Sequence, residues 1–246
     1  MLDAYKTYEP LGVLKPVAED VWIVDGPEIR FRYACLKIPF PTRMTVIRLP
    51  TGSLWLHSPT ELNEALAEQV GRLGQVAHLV APNTLHYWWI KDWKARFPEA
   101  EVWAVARLDP GARDRVPEHR QLGNEPPPAW RGQIDQVIVE GTRIMEADFF
   151  HRPSRTLLIT DLIENFEDRR FNSVFYKWLS HIGGVIDPDG KAPLDLRLTF
   201  SRNRDQVRSA VEQMIAWNPE RVIMAHGRWY ATNAVGELRR AFRWAL

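Results

Sequence analysis

A single cysteine, Cys35, stands in 246 residues, which excludes an internal disulfide and any cysteine-based metal knuckle. Such scarcity fits a reducing compartment. No run approaches the roughly 20 apolar residues that span a bilayer. The opening Met1-Leu2-Asp3-Ala4-Tyr5-Lys6 lacks the apolar core of a signal peptide, so a cytoplasmic location is expected. Neither sign of charge is in excess: 32 basic residues face 31 acidic ones. That balance removes the electrostatic case for nucleic acid or an anionic membrane as partner and leaves a small-molecule ligand or substrate, whose identity the composition does not give. There is no internal repeat and no low-complexity tract.

Eleven tryptophans are present, and core packing is the expected use of most of them. Val21 to Val24, Met44 to Leu49, Ser53 to His57, Val76 to Val80 and Glu101 to Val105 read as strands. Asp25-Gly26 and Pro50-Thr51-Gly52 supply turn chemistry. Ser58-Pro59-Thr60-Glu61 has the form of a capping box. It precedes Leu62, Ala65, Leu66, Val70 and Leu73 at helical spacing, and an aromatic helical segment follows from His86 to Phe97. Residues 106–132, rich in proline and charge, read as a surface excursion. Strands resume over 136–140, 143–150 and 156–160, and 162–200 is irregular around a helix from Asn172 to His181. Asp205 to Trp217 is an amphipathic helix, Arg221 to Ala225 the last strand and Glu237 to Leu246 a closing helix. The alternation predicts an α/β (α+β) chain, one domain over 1–246, with two sheets covered by helices on both outer faces.

Four strand ends deliver metal-capable side chains: His86 after 76–80, His151 after 143–150, Asp161 after 156–160 and His226 after 221–225. Adjacent strand ends converge in layered sheets, so imidazoles and a carboxylate delivered there suit a metal site. The order of these four residues, with Ala81-Pro82-Asn83, Ile159-Thr160-Asp161 and Met224-Ala225-His226-Gly227, resembles the metallo-β-lactamase superfamily over residues 18–230, in an uncharacterised branch. His151-Arg152-Pro153 is similar to the wording of the flavodiiron proteins. The resemblance implies an αββα sandwich of two mixed sheets. In that superfamily a His-x-His-x-Asp-His run precedes a lone His, a bridging Asp and a final His before Gly.

With His86 laid on the last position of that run, Ala81, Asn83 and Leu85 fall on the two earlier histidines and the aspartate. The first metal site then keeps His151 and Asp161, with at most Asn83 added. The second keeps His86, Asp161 and His226. Two histidines and a carboxylate match the ligand count of catalytic zinc sites, with iron the second candidate. The ledger favours one divalent ion or none. Leu85 also removes the aspartate that in the family helps orient the attacking water.

Two readings stay open. One is a mononuclear metal-dependent hydrolase with catalytic roles for Asp161 and for His151, the latter as fourth ligand or acid–base group. The other is a non-catalytic protein binding a small molecule or partner in a remodelled, metal-free cleft. Asn83, Ser154 and Arg155 could present donors to an anionic ligand; otherwise Arg155 pairs with Glu164 or Asp161. His57, His78, His119 and His181 match no motif and read as structural or exposed.

Overall fold

A computed structural model describes residues 4–33 and 36–246. Cys35 and the first three residues, which carry part of the reading above, lie outside them. Seven strands form the first sheet in chain order: β1 (Lys15–Ala18), β2 (Val21–Tyr33), β3 (Leu36–Arg48), β4 (Leu54–His57), β5 (Val76–Ala81), β6 (Glu101–Ala104) and β7 (Arg120–Gln121). Pairing is antiparallel from β1 to β4 and parallel from β4 to β7. The second sheet has the order β11-β10-β9-β8, from β8 (Ile134–Glu140), β9 (Met145–His151), β10 (Thr156–Ile159) and β11 (Arg221–Met224). Its β10 runs parallel to β11 and antiparallel to β9.

The period-two alternation of the strands sorts three apolar layers. On β4, Leu54 and Leu56 face α1 (Glu64–Leu73) and α2 (Ile90–Arg96), joining Leu66, Val70, Ile90 and Trp93. Trp55 between them points the other way, into a layer shared with Trp103, Trp130, Phe149, Leu158 and Ile223, which draws on both sheets. Beyond the second sheet, Phe150, Leu157 and Val222 pack under α5 (Arg204–Ala216) and α6 (Ala234–Ala241). Helix, sheet, sheet, helix is thus the order of layers. Trp130 lies edge-on to Trp55 and Trp103, so several tryptophans fill the centre of the sandwich. Two more helices, α3 (Val174–Gly183) and α4 (Leu194–Thr199), sit in the strap between β10 and α5. Among the described residues no helix is long and apolar enough to cross a membrane.

Local readings shift in several places: β1, β7 and α4 fall where the sequence marks no element, and β2 and β3 each run 13 residues. Asp25-Gly26 is no turn: β2 runs through it with a bulge, and glycine is needed because a Cβ on Gly26 would lie 1.7 Å from Thr60 Oγ1. Ser58 does not cap a helix either. The cap of α1 is Asn63, whose side chain accepts from Leu66 N, because Pro59 and the buried Thr60 keep the chain extended past the end of β4.

His57 is buried between Trp55, stacked at 5.7 Å, and Phe149, edge-on at 5.6 Å. Its Nε2 has no partner among the described residues. Burial, helped by the nearby His86, pushes its pKa down to about 3 from 6.5. The unfolded chain therefore binds a proton that the folded chain refuses, and stability falls as pH drops below about 6.5. His57→Phe keeps the packing and should recover about 3 kcal/mol of that loss at about pH 4. Chemical unfolding of both proteins at neutral and acidic pH measures it; an equal acid loss in the two would contradict the assignment.

Candidate metal centre

β5 of the first sheet and the parallel pair β10 and β11 of the second end at one edge of the sandwich, and each releases one polar residue there. After Pro82 breaks β5, the Asn83 side chain turns the chain: its Oδ1 accepts from Leu85 N at 2.8 Å and His86 N at 2.9 Å. This local capping turns His86 inward, ahead of α2. At the end of β10 a carboxylate from the neighbouring strand takes the free backbone donors. Glu146 accepts from Thr160 N at 2.7 Å and from Asp161 N at 2.9 Å. At the end of β11, Gly227 takes φ +89° with its Cβ position only 2.1 Å from Asn165 O, so glycine alone permits the turn after His226. Arg43, itself buried against Asp25, donates through Nη1 to Met224 O at 2.8 Å and Gly227 O at 2.9 Å.

The outcome is a triangle. His86 Nε2 lies 3.2 Å from Asp161 Oδ1, His226 Nε2 lies 3.1 Å from the same oxygen, and the two Nε2 atoms are 3.2 Å apart. These three residues form a set able to hold a metal ion. A tetrahedral zinc bound at about 2.0 Å sets its ligand atoms about 3.3 Å apart, so the spacing suits one. The far side of each ring is occupied. His226 Nδ1 donates to Pro41 O at 2.8 Å, and His86 Nδ1 pairs with Ser58 Oγ at 2.8 Å. A proton on Nδ1 leaves the Nε2 lone pair directed at the centre, the arrangement that orients metal-binding histidines. Ser58 holds φ +50°, a backbone that glycine would adopt at lower cost; what serine adds is the hydroxyl. Ser58→Gly should therefore leave the melting temperature unchanged or raised while weakening zinc binding roughly 10–100-fold. Zinc titration monitored by calorimetry reads this out, and undiminished affinity would remove Ser58 from the site.

Three lone-pair atoms this close repel unless a proton or a cation lies among them. Burial alone would depress the His86 pKa, but the Asp161 charge and hydrogen bond override it and the pKa is raised. Asp161 answers in kind: burial would raise its carboxyl, yet His86 and His226 hold it well below the usual carboxylate range. Around this pair sit two buried acids whose pKa values are pushed up. Glu164 is raised well above its ordinary value by burial and then by the charges of Asp161, Asp195 and Glu146. Asp148, completely buried, is raised by burial and by Glu146. Ionised, neither of its oxygens would have a donor among the described residues; protonated, it bonds to Glu146.

At the first of the two metal positions, the one on which Asn83 falls, protein hydrogen bonds take the place of ligands. The Asn83 amide nitrogen contacts Glu146 Oε2 at 3.0 Å, Thr160 Oγ1 at 2.9 Å and Asp161 Oδ2 at 2.8 Å. Its oxygen is used by the backbone, so Asn83 is neither an oxygen ligand nor a free donor for an anion. It holds His86 and Asp161 in place.

His151, Ser154 and Arg155 are corrections. His151 is the last residue of β9 and pairs with Thr156, the first of β10, whereas Asp161 follows the other end of that strand. Five residues at about 3.3 Å put roughly 16 Å between them. Its Nδ1 meets Ser154 Oγ at 2.7 Å, and burial brings its pKa down to about 4 against a smaller upward pull from Asp20. Arg155 is spent on Asn218 O and Glu220 in the same distant turn, not on Glu164 or Asp161. The error is one of strand direction. Because β9 is antiparallel to β10, it brings its beginning to the site, and Glu146 comes with it. The available signal was two acids, Glu146 and Asp148, at alternate positions of a strand whose other residues before His151 are apolar. Among the unassigned histidines, His78 accepts from Trp103 Nε1 in the core and His181 pairs with Asp168 outside it.

Residues 19–108 match the model of a domain of unknown function, DUF4336. No curated protein matches the chain by sequence. Among solved structures, the DIM-1 metallo-β-lactamase exposed to ceftazidime shares 13% identity at a TM-score of 0.59, with 100% of both chains covered. The FIM-1 metallo-β-lactamase from Pseudomonas aeruginosa, in its mono-zinc form, shares 12% at 0.59, covering 99% of this chain and 96% of that one. The metal-soaked Flv1 flavodiiron core from Synechocystis sp. PCC6803 shares 14% at 0.60, over 98% of this chain but only 61% of its own. Layers, sheet order and neighbours agree: the chain has the metallo-β-lactamase fold.

Proposed function

We propose that the protein is a metal-dependent hydrolase working with a single divalent ion, zinc before iron, held by His86, Asp161 and His226. One observation carries this reading: two imidazole Nε2 atoms and a carboxylate oxygen within 3.2 Å of one another, with Pro41 O and Ser58 Oγ engaging the opposite ring nitrogens. Zinc held there supplies a Lewis acid and an acidified water suited to esters, amides, thioesters or phosphoesters. The chain supplies the rest. Asn83 and Glu146 fix the ligands. The mono-zinc FIM-1 structure is an example of the fold carrying one ion.

The second reading, a metal-free binding cleft, draws on the same triangle, because one proton on His86 also satisfies it. Elemental analysis of untagged protein, before and after zinc titration, separates the two. One ion per chain is expected; two would sink the one-metal reading, and none after titration would leave the binding protein.

The proton also sets the pH dependence. His86, with its folded pKa raised, stabilises the metal-free chain at pH below about 6.5, and that contribution fades as pH climbs through the folded pKa. Zinc must displace this proton, so binding near pH 6 should release about one proton per ion, and occupancy should fall with acidification. Calorimetry in two buffers of different ionisation enthalpy counts the protons. Zero release would contradict the shared-proton account of the triangle.

A further inference from the structure

Helix α3 is well made and badly covered. Ser173 caps its start and Gly184, at φ +73°, its end, yet none of its ten residues is buried. Val174 is 83% exposed, Phe175 48%, Trp178 59% and Ile182 50%. Positions 174, 178 and 182 recur every four residues and so form one stripe along the helix. The adjoining α4 also buries nothing and adds Leu194 at 43% and Leu198 at 67%. These six are the large apolar side chains that the described surface leaves bare. A helix apolar on its outer face is ordinarily covered, and a contiguous patch beyond a few hundred Å² marks an interaction site.

From these observations we propose that a second copy of this chain covers the patch, α3 and α4 of one protomer packing on α3 and α4 of its partner about a two-fold axis. Area argues for a copy. With large side chains presenting on the order of 150–250 Å² each when free, the six exposed fractions leave roughly 600 Å² of apolar surface. At the about 65% apolar share of homodimer interfaces, that becomes about 900 Å² per protomer. A standard stable interface takes about 800 Å² from each side. Charge argues against a membrane. Beside α3 the ions pair off within the chain, Asp168 with Lys177 and His181, and Asp189 with Lys191, and on α4 one acid, Asp195, is matched by one base, Arg197, so the patch carries no net basic face. An interfacial helix instead carries a basic polar face. Because an isologous contact places one patch on its own image, an apolar surface whose few charges balance is compatible with its own copy.

Sedimentation velocity of the full chain from about 1 to about 100 μM should show a shift from one chain to two. Trp178→Asp combined with Leu198→Asp should remain a single chain throughout with an unchanged circular dichroism spectrum. Should that pair fail to fold, Val174→Lys, at the most exposed position, should weaken the dimer at least about tenfold. A wild type that stays single over the whole range overturns the proposal. So does a dimer that the substitutions leave intact, which would use another face. A single chain that co-sediments with neutral phosphatidylcholine vesicles overturns it in favour of a membrane surface.

Discussion

Asp161→Ala should lose zinc binding by about 100-fold or more while the metal-free protein stays folded. Asp161 is the one anion of the triangle and touches both imidazoles, at 3.1 and 3.2 Å. Four-ligand zinc sites hold their ion with about 10–16 kcal/mol, roughly 3–4 kcal/mol per ligand, and each 1.4 kcal/mol is a factor of ten. Without the carboxylate, two neutral imidazoles are left to hold a dication, and the charge compensation is gone. The metal-free fold should tolerate the change because the Asn83 amide keeps Glu146 and Thr160 as acceptors. Titration with a competing chelator measures the affinity. Zinc-induced thermal stabilisation, strong in the wild type, should vanish in the variant. Retained stoichiometry and affinity would place the ion elsewhere.

Arg43→Met should damage the fold severely. Arg43 and Asp25 are both buried and paired at 2.7 Å, and Lys15 reaches the other Asp25 oxygen at 2.8 Å. Removing the guanidinium strands a buried carboxylate on one half-exposed lysine and leaves Met224 O and Gly227 O without their donor. Breaking such a pair from one side costs about 3–5 kcal/mol, or about 10 °C in melting temperature for a chain of this length. The carbonyls belong to the turn that presents His226, so zinc affinity should fall as well. Asp25→Leu on the same background should return part of the stability, because no uncompensated charge then remains buried. Denaturant unfolding of the two single variants and the double variant gives the coupling; strict additivity would mean the pair is not an energetic unit.

Much of the fold was legible in the chain. Short apolar runs located β4, β5, β6, β10 and β11 and one end each of the 13-residue β2 and β3, and the 3.6-residue period located α1 and α5, because both patterns follow from local backbone geometry. Edges fared worse where a side chain answers to a distant partner. Ser58 has the form of a helix cap and instead serves His86, 28 positions away. Glu146 lies inside a strand and caps the end of another.

The sequence by itself determined that the chain mixes strands and helices and which residues follow the ends of β5, β10 and β11, since periodicity and strand punctuation are properties of neighbouring residues; the αββα order of layers came only with the resemblance of its motifs. Only the tertiary structure decided which of those residues meet. β5 and the parallel pair β10 and β11 bring His86, Asp161 and His226 to one edge, whereas the antiparallel β9 carries His151 to the opposite edge and sends Glu146 in its place. Strand direction within a sheet is set by pairing between residues remote in the chain, and a single strand carries no local mark of it.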